Sequence, residues 1–306
     1  MIQIQEEFLF IWLSIIDGIN YQLFLNLKKV FHNIENIYKI SSNIYLFKDY
    51  LNDNNLNIDQ KIFNQLTNSN IKLKSQNIYS NVQKLNLKVI TLNSKYYPNE
   101  LLSTVNPKLC IIIYGNTKIL ADDKPKIYMY YNKNFSSNGK NVYNTFIDFL
   151  KKENVTNIFN IEKIEDLVKF QVKKSSNIYL INKSYNIENN EELCQAIKQD
   201  LSRIDRICNK DYDKSSFIFN NLISNDNRIE ILSSLLDHFL VPEAAYQEEI
   251  VSLTDVICEY GKNILVVPSD IYKNTSYFSN YLIKQGCDVI LSTKDIKYYI
   301  DNFKRQ

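Results

Sequence analysis

The sequence predicts an α/β protein: a Rossmann-like, doubly wound and mostly parallel sheet, preceded by a small all-α helical domain. Three observations predict it. Up to about residue 85 the apolar residues recur at helical spacing. From residue 86 onward, short apolar runs alternate with longer amphipathic stretches, which is the pattern of βαβ units. Gly261 and Gly286 each stand where a helix would hand over to a strand. The expected division is therefore 1–85, helical, and 86–306, Rossmann-like.

In the first part, Phe8, Ile11, Trp12 and Ile15 repeat at three- and four-residue steps, as one buried helical face does. Asp17-Gly18 breaks that run. Tyr21 to Phe31 starts another, with Leu23, Leu27 and Val30 inward, and a third helical stretch is expected at about Ile58–Leu66. In the second part, strands are expected at Leu87–Leu92, Leu109–Tyr114, Lys126–Tyr131, Ile158–Ile161, Ile178–Ile181, Ile264–Val267 and Asp288–Leu291. Helices are expected at Val142–Lys152, Leu193–Ile204, Ile250–Tyr260 and Tyr277–Gln285. No fixed-period repeat is visible, which disfavours solenoids.

Composition narrows the function classes. Hydrophobic residues make up 45% and charged residues 23%, so the chain can bury a core. Its 36 Lys+Arg against 34 Asp+Glu leave a net charge of +2, so a nucleic-acid site would have to be a local patch. The five cysteines, Cys110, Cys194, Cys208, Cys258 and Cys287, are scattered singly, and His32 and His238 are the only histidines. That pattern offers neither a zinc site nor a disulfide framework, so no metal or cofactor is expected, and the compartment reads as reducing. The opening MIQIQEEFLFIWLSII places two glutamates before a short apolar run. It reads as a buried helix, not a secretory signal or a membrane span, so a cytoplasmic protein without a membrane partner is expected.

The five glycines, Gly18, Gly115, Gly139, Gly261 and Gly286, punctuate a series of blocks. In order these are Trp12–Asn20; Tyr97-Pro98 with Leu101-Leu102; Asn106-Pro107 leading to Tyr114-Gly115-Asn116; and the stretch 124–140. Then come Phe219 with Asn227-Arg228-Ile229; Glu243-Ala244; Glu259-Tyr260-Gly261-Lys262 with Val267-Pro268; and Asn280 with Leu282-Ile283 and Gly286. Together, and in this order, they resemble the DprA/Smf DNA-processing family. Residues 140–215 echo it only at Asn190, Leu193 and Ile197. The family's frequent C-terminal winged helix is not expected, since the chain stops soon after Ile300.

In that family the Rossmann-like domain binds single-stranded DNA during natural transformation and hands the strand to a RecA-type recombinase. The resemblance thus implies a binding module and not an enzyme, with single-stranded DNA, a RecA-type recombinase and a second copy of the chain as the partners to look for. Glycine-rich turns bring backbone N–H groups to an anion, and Arg or Lys adds charge. Matching positions make Lys133, Ser136, Lys140, Asn227 and Arg228 the candidate DNA-binding residues.

The departures are specific. The family's G-[ST]-R reads Tyr131-Asn132-Lys133, the first Arg of its RNR is Asp226, and its SG turn before a helix has become Glu248-Glu249. A tyrosine does not easily take the backbone conformations open to glycine, lysine lacks arginine's planar fork, and two carboxylates at a helix start satisfy it internally and repel phosphate. The turn Val267-Pro268-Ser269 has also lost a glycine. The first hairpin could present backbone to DNA as a helix-hairpin-helix, with Asn20 in left-handed conformation, but a packing role is favoured. The tyrosines of 128–131 could stack bases, but ordinary sheet packing is the simpler expectation.

The alternative is a degenerate relative keeping fold and protein contacts without DNA binding. A nucleotide phosphoribohydrolase is disfavoured, because Val267-Pro268-Ser269-Asp270-Ile271 lacks the glycine-rich phosphate turn and glutamate such enzymes need.

Overall fold

The computed structural model describes residues 5–170, 175–183, 185, 190–208, 213–219 and 228–303. It divides into two compact units. One comprises Met1–Tyr114, Asn182–Ile204 and Ile218–Asp226, and the other Gly115–Ile181, Asp205–Phe217 and Asn227–Gln306.

The first unit opens with α1 (Glu6–Ser14), α2 (Tyr21–Phe31), α3 (Ile34–Ile40), α4 (Ile44–Asp53), α5 (Gln60–Leu66) and α6 (Ser69–Lys84). Phe8 through Leu13 of α1 are all buried, so this helix is the centre of the unit and not its amphipathic wall. The abundant asparagines here are capping residues. Asn20, Asn33, Asn43 and Asn68, with Asp59, each accept a backbone N–H from the first turn of the next helix. Each such cap stabilises its helix by about 1 kcal/mol. Asn20 is therefore extended (φ −104°), not left-handed; its side chain occupies the N–H of Leu23.

Strand β1 (Lys88–Thr91), the short α7 (Asn99–Leu102) and β2 (Cys110–Gly115) follow, and β1 pairs antiparallel with β2. The Tyr97-Pro98 and Asn106-Pro107 blocks are structural ties. The Tyr97 hydroxyl donates to the carbonyl of Lys108 at 2.6 Å, and Asn106 Oδ1 accepts the N–H of Tyr21 at 2.9 Å.

The second unit carries β3 (Lys126–Met129), α8 (Ser137–Leu150), β4 (Thr156–Ile161) and β5 (Ser176–Ile181). In chain order α9 (Asn190–Cys208) comes next, assigned to the first unit as far as Ile204, and then β6 (Ser215–Phe219), of which Ser215–Phe217 belong to the second unit. The second unit resumes with α10 (Arg228–Leu235), β7 (His238–Val241) and α11 (Glu248–Glu259). The chain continues through β8 (Asn263–Val266), α12 (Tyr277–Lys284), β9 (Asp288–Val289) and α13 (Thr293–Asp301). Six strands run in the order β5-β4-β3-β7-β8-β9, and each neighbouring pair is parallel. The chain thus winds outward from β3 in one direction and from β7 in the other, which is a doubly wound, Rossmann-like sheet. Apart from the exposed edge strand β9, the strands are largely buried and rich in Ile, Val and Phe, as a sheet covered on both faces requires.

Gly115 shows why a glycine stands at the end of β2. Its φ is +97°, and an added Cβ would lie 2.4 Å from the carbonyl oxygen of Ser215, to which Asn116 N–H donates. Gly261 closes α11 with φ +63°, as the sequence predicts.

None of the five cysteines is in a disulfide. Among the described residues no group could hold a metal ion, and no helix is long and apolar enough to cross a membrane.

His238 begins β7, 3% exposed, with Nδ1 3.2 Å from Asn263 Nδ2 and its ring edge-on to Tyr299 and Phe303. Burial, helped by the Lys262 ammonium, pushes its pKa down to about 4. Because the folded state disfavours the proton, this histidine's contribution to stability is complete above the unfolded pKa, near 6.5, and is lost as pH falls toward 4. The loss amounts to roughly 3 kcal/mol at most. Urea unfolding between pH 7 and pH 4 should show stability falling across this window, and His238→Phe should flatten that slope.

Candidate nucleic-acid interface at the strand ends

β3 ends at Met129, and residues 130–136 carry the chain into α8. Backbone pairing continues one step further through Tyr130 N–H to the carbonyl of Leu240. Ser136 is the N-cap of α8, its hydroxyl accepting the Gly139 N–H at 3.1 Å. In a capping box the residue at Gly139's position is a glutamate that reaches back to the N-cap N–H. Here that glutamate is supplied from elsewhere: Glu243, two residues past β7, accepts the Ser136 N–H at 2.7 Å and the Ser136 hydroxyl at 2.8 Å. The hydroxyls of Ser276 (3.1 Å) and Thr275 (3.3 Å) also donate to Glu243 Oε1.

Glu243 is 3% exposed, and its donors meet the requirement that a buried carboxylate be fully hydrogen-bonded. Gly139 is needed for space and not for backbone freedom. A Cβ there would lie 2.3 Å from Glu243 Oε2 and 2.8 Å from Cδ. The next residue, Ala244, ties in α12 by donating its N–H to Ser279 Oγ at 2.7 Å and accepting the N–H groups of Phe278 and Ser279. Asn280 brackets Ser269 with two further bonds.

Beside this capping arrangement lies a cavity of about 430 Å³ at the carboxyl ends of β3 and β4. It sits next to the point where the winding reverses, the usual ligand position in such sheets. Aromatic residues form much of its wall. Tyr128 is buried and stacked on Phe239; Tyr130 is buried and donates its hydroxyl to Gln247. Burial, with the Glu249 carboxylate second, pushes the Tyr130 phenol up to about 12. Tyr131, 36% exposed, is the open ring, held edge-on by Phe135, Tyr143 and Phe170. Sheet packing therefore accounts for Tyr128 and Tyr130, and Tyr131 alone of this run is substantially exposed.

The charged lining consists of Lys133, Lys163 and Lys169 against Glu162, Asp166 and Glu249, three of each sign. Lys133 Nζ lies 2.8 Å from Glu162 Oε2, and Lys169 Nζ 2.8 Å from Asp166 Oδ1. Their hydrogen-bonded carboxylates hold both ammonium groups above the usual lysine range. Lys133 is 73% exposed along its side chain and Glu162 42%, so that pair is an exposed one, worth about 0–1 kcal/mol.

Of the residues singled out from sequence, Lys133, Ser136 and Lys140 come together at the start of α8, with Lys140 exposed on the first turn. Asn227 lies outside the described residues, as does Asp226. Arg228 is described only as the first backbone position of α10. Glu248 and Glu249 open α11, as expected of helix-start acids. Glu243, Glu162 and Phe170 were not assigned a role from sequence. Glu243's donors lie 107 and more than 30 residues away, so no local spacing could have revealed them.

Fold and site together define an α/β protein with a strand-end, aromatic-walled cleft. The structure of DNA processing protein A (DprA) from Streptococcus pneumoniae matches with a TM-score of 0.54 at 15% identity, covering 86% of this chain and 96% of that one. DprA from Helicobacter pylori, described in its single-stranded DNA binding mode, gives 0.49 at 15% identity over 72% of this chain and 98% of that one. By the first of these likenesses, the chain has the DprA fold. No protein-family model matches it, and no curated protein matches by sequence.

Gly139→Ala should lower stability by about 1–3 kcal/mol, because the added methyl overpacks the Glu243 carboxylate. An ordinary helix position would instead gain up to about 1 kcal/mol from the same change. The urea midpoint, read against a Gly→Ala change at Gly261, where an added Cβ meets nothing within 4 Å, separates crowding from backbone effects.

Proposed function

We propose that this chain is a non-catalytic, DprA-like protein that binds single-stranded DNA in recombination or natural transformation and passes the strand to a RecA-type recombinase. Its strand-end cleft makes that contact mainly by stacking. The observation that carries the reading is the open ring of Tyr131, rigidly packed on three sides, at the mouth of a cleft whose charged lining sums to zero. A ring already immobilised loses little entropy on stacking a base, and every base has a face to offer. Lys133 adds a point charge, since its exposed pair with Glu162 is weak enough for a phosphate to compete. The DprA fold and the ordered sequence blocks support the same reading.

A second reading, in which the fold is kept for protein contacts and the DNA site is lost, is favoured by one feature. Lys133 and Lys169 are each already paired with a carboxylate.

Fluorescence anisotropy with a single-stranded oligonucleotide separates the two. Stacking predicts weak binding with a shallow salt dependence, log K against log salt having a slope of about −1 or less in magnitude, as one phosphate contact gives. Tyr131→Ala should weaken binding by roughly 5- to 150-fold, from about 1–3 kcal/mol per stacked base, while Tyr131→Phe should bind as the parent does. Undetectable binding at low salt would favour the second reading, and a steep slope would show that phosphates and not rings carry the contact.

A further inference from the structure

The buried carboxylate at the start of α8 carries an inference about selectivity. An anion is already bound at this helix start: Glu243, with one backbone N–H and three hydroxyls directed at it. Its donors come from two separate segments, Ser136 at the end of the β3–α8 connection and the turn Asn274–Ser276. A helix start, with its unpaired N–H groups and the positive end of the helix dipole, is where external oxyanions bind elsewhere.

Here the missing side chain of Gly139 leaves room only for the protein's own carboxylate, since even one added carbon would clash with it. We propose that Glu243 is a positioning and selectivity residue: it fills the oxyanion cradle at the start of α8, fixes the loop that presents Tyr131 and Lys133, and so closes this position to phosphate. Its bearing on DNA rests on the function proposed above, whereas the oxyanion chemistry does not.

The consequence is that removing the carboxylate should uncover an oxyanion site. Glu243→Ala leaves the Ser136 N–H and three hydroxyls facing an empty space about the size of a carboxylate. Glu243→Gln keeps the space filled. Its carbonyl can accept the Ser136 N–H, while its amide nitrogen takes the Oε1 side, where all three partners are hydroxyls able to reverse their roles.

The test is thermal unfolding of the full chain and both variants in formate or inorganic phosphate, against chloride at matched ionic strength. The expected result is a lowered Tm for Glu243→Ala that recovers saturably by several degrees with formate or phosphate, while the parent and Glu243→Gln show no oxyanion-specific response. A Glu243→Ala protein that folds only when formate or phosphate is present supports the proposal equally. If that variant ignores both anions, folded or not, the proposal fails. It also fails if the parent binds phosphate saturably with a shift of the Ser136 amide resonance. Loss of oligonucleotide binding in the parent, with anion rescue intact, would instead overturn only the proposed function.

Discussion

A carboxylate with 3% exposure must be surrounded by donors, and at Glu243 that requirement organises the whole strand-end region. Its partners fix the first turn of α8, the turn before α12 and, through the next residue, the N-terminus of α12. Everything that lines the neighbouring cleft from the β3 side hangs from this point. Tyr131, Lys133 and Phe135 lie in the loop whose far end is tied at Ser136. Retention of Ser136 and Gly139, when most of the surrounding glycines and the arginine of the family pattern are gone, then has a packing cause. Serine supplies a cap that can also donate to Glu243, and glycine supplies the room.

The same arrangement explains why the cleft is electrically balanced. A phosphate-binding turn needs unpaired N–H groups and surplus positive charge. This turn has spent its N-cap N–H on an internal anion, the acids Glu248 and Glu249 occupy the first turn of α11, and Lys133 and Lys169 are matched by Glu162 and Asp166. What remains exposed and unusual is aromatic surface held rigid by edge-on neighbours. Rings held edge-to-face gain about 0.5–1.5 kcal/mol per pair beyond their burial, so Tyr131 keeps its orientation without a ligand. Tyrosine stands here where the family pattern it resembles has glycine, and it brings an exposed ring. No strain results, since Tyr131 is not among the positive-φ residues.

Much of the fold was legible in the sequence because burial leaves a local imprint. The apolar runs of β3, β4, β5 and β8, and the helices α8, α9, α11 and α12, fall within a few residues of the expected positions. β6 escaped because it opens on Ser215-Ser216, polar residues buried only by their neighbours, while β7, opening on the buried His238, was marked only by the Glu243-Ala244 block at its end. α3, α4 and α6 escaped because their asparagines look like loop formers when they are caps or solvent-facing positions. Lys133 and Ser136 were singled out through the resemblance to the family's motif, not through any spacing of their own. Their partners were not legible: ion pairing by Glu162 and coordination around Glu243 join residues far apart in the chain, which no pattern along it encodes.

The central claim is that a base stacks on the ring of Tyr131 in a cleft whose phosphate cradle is internally filled. Photo-crosslinking with a single-stranded oligonucleotide carrying a halogenated pyrimidine, followed by mass spectrometry of the peptides, reads that contact directly. The account predicts adducts on the peptide containing Tyr131, with Phe170 the next site, and their loss on competition with unmodified strand. Adducts confined to peptides outside the cleft, with Tyr131 unmodified, would contradict it.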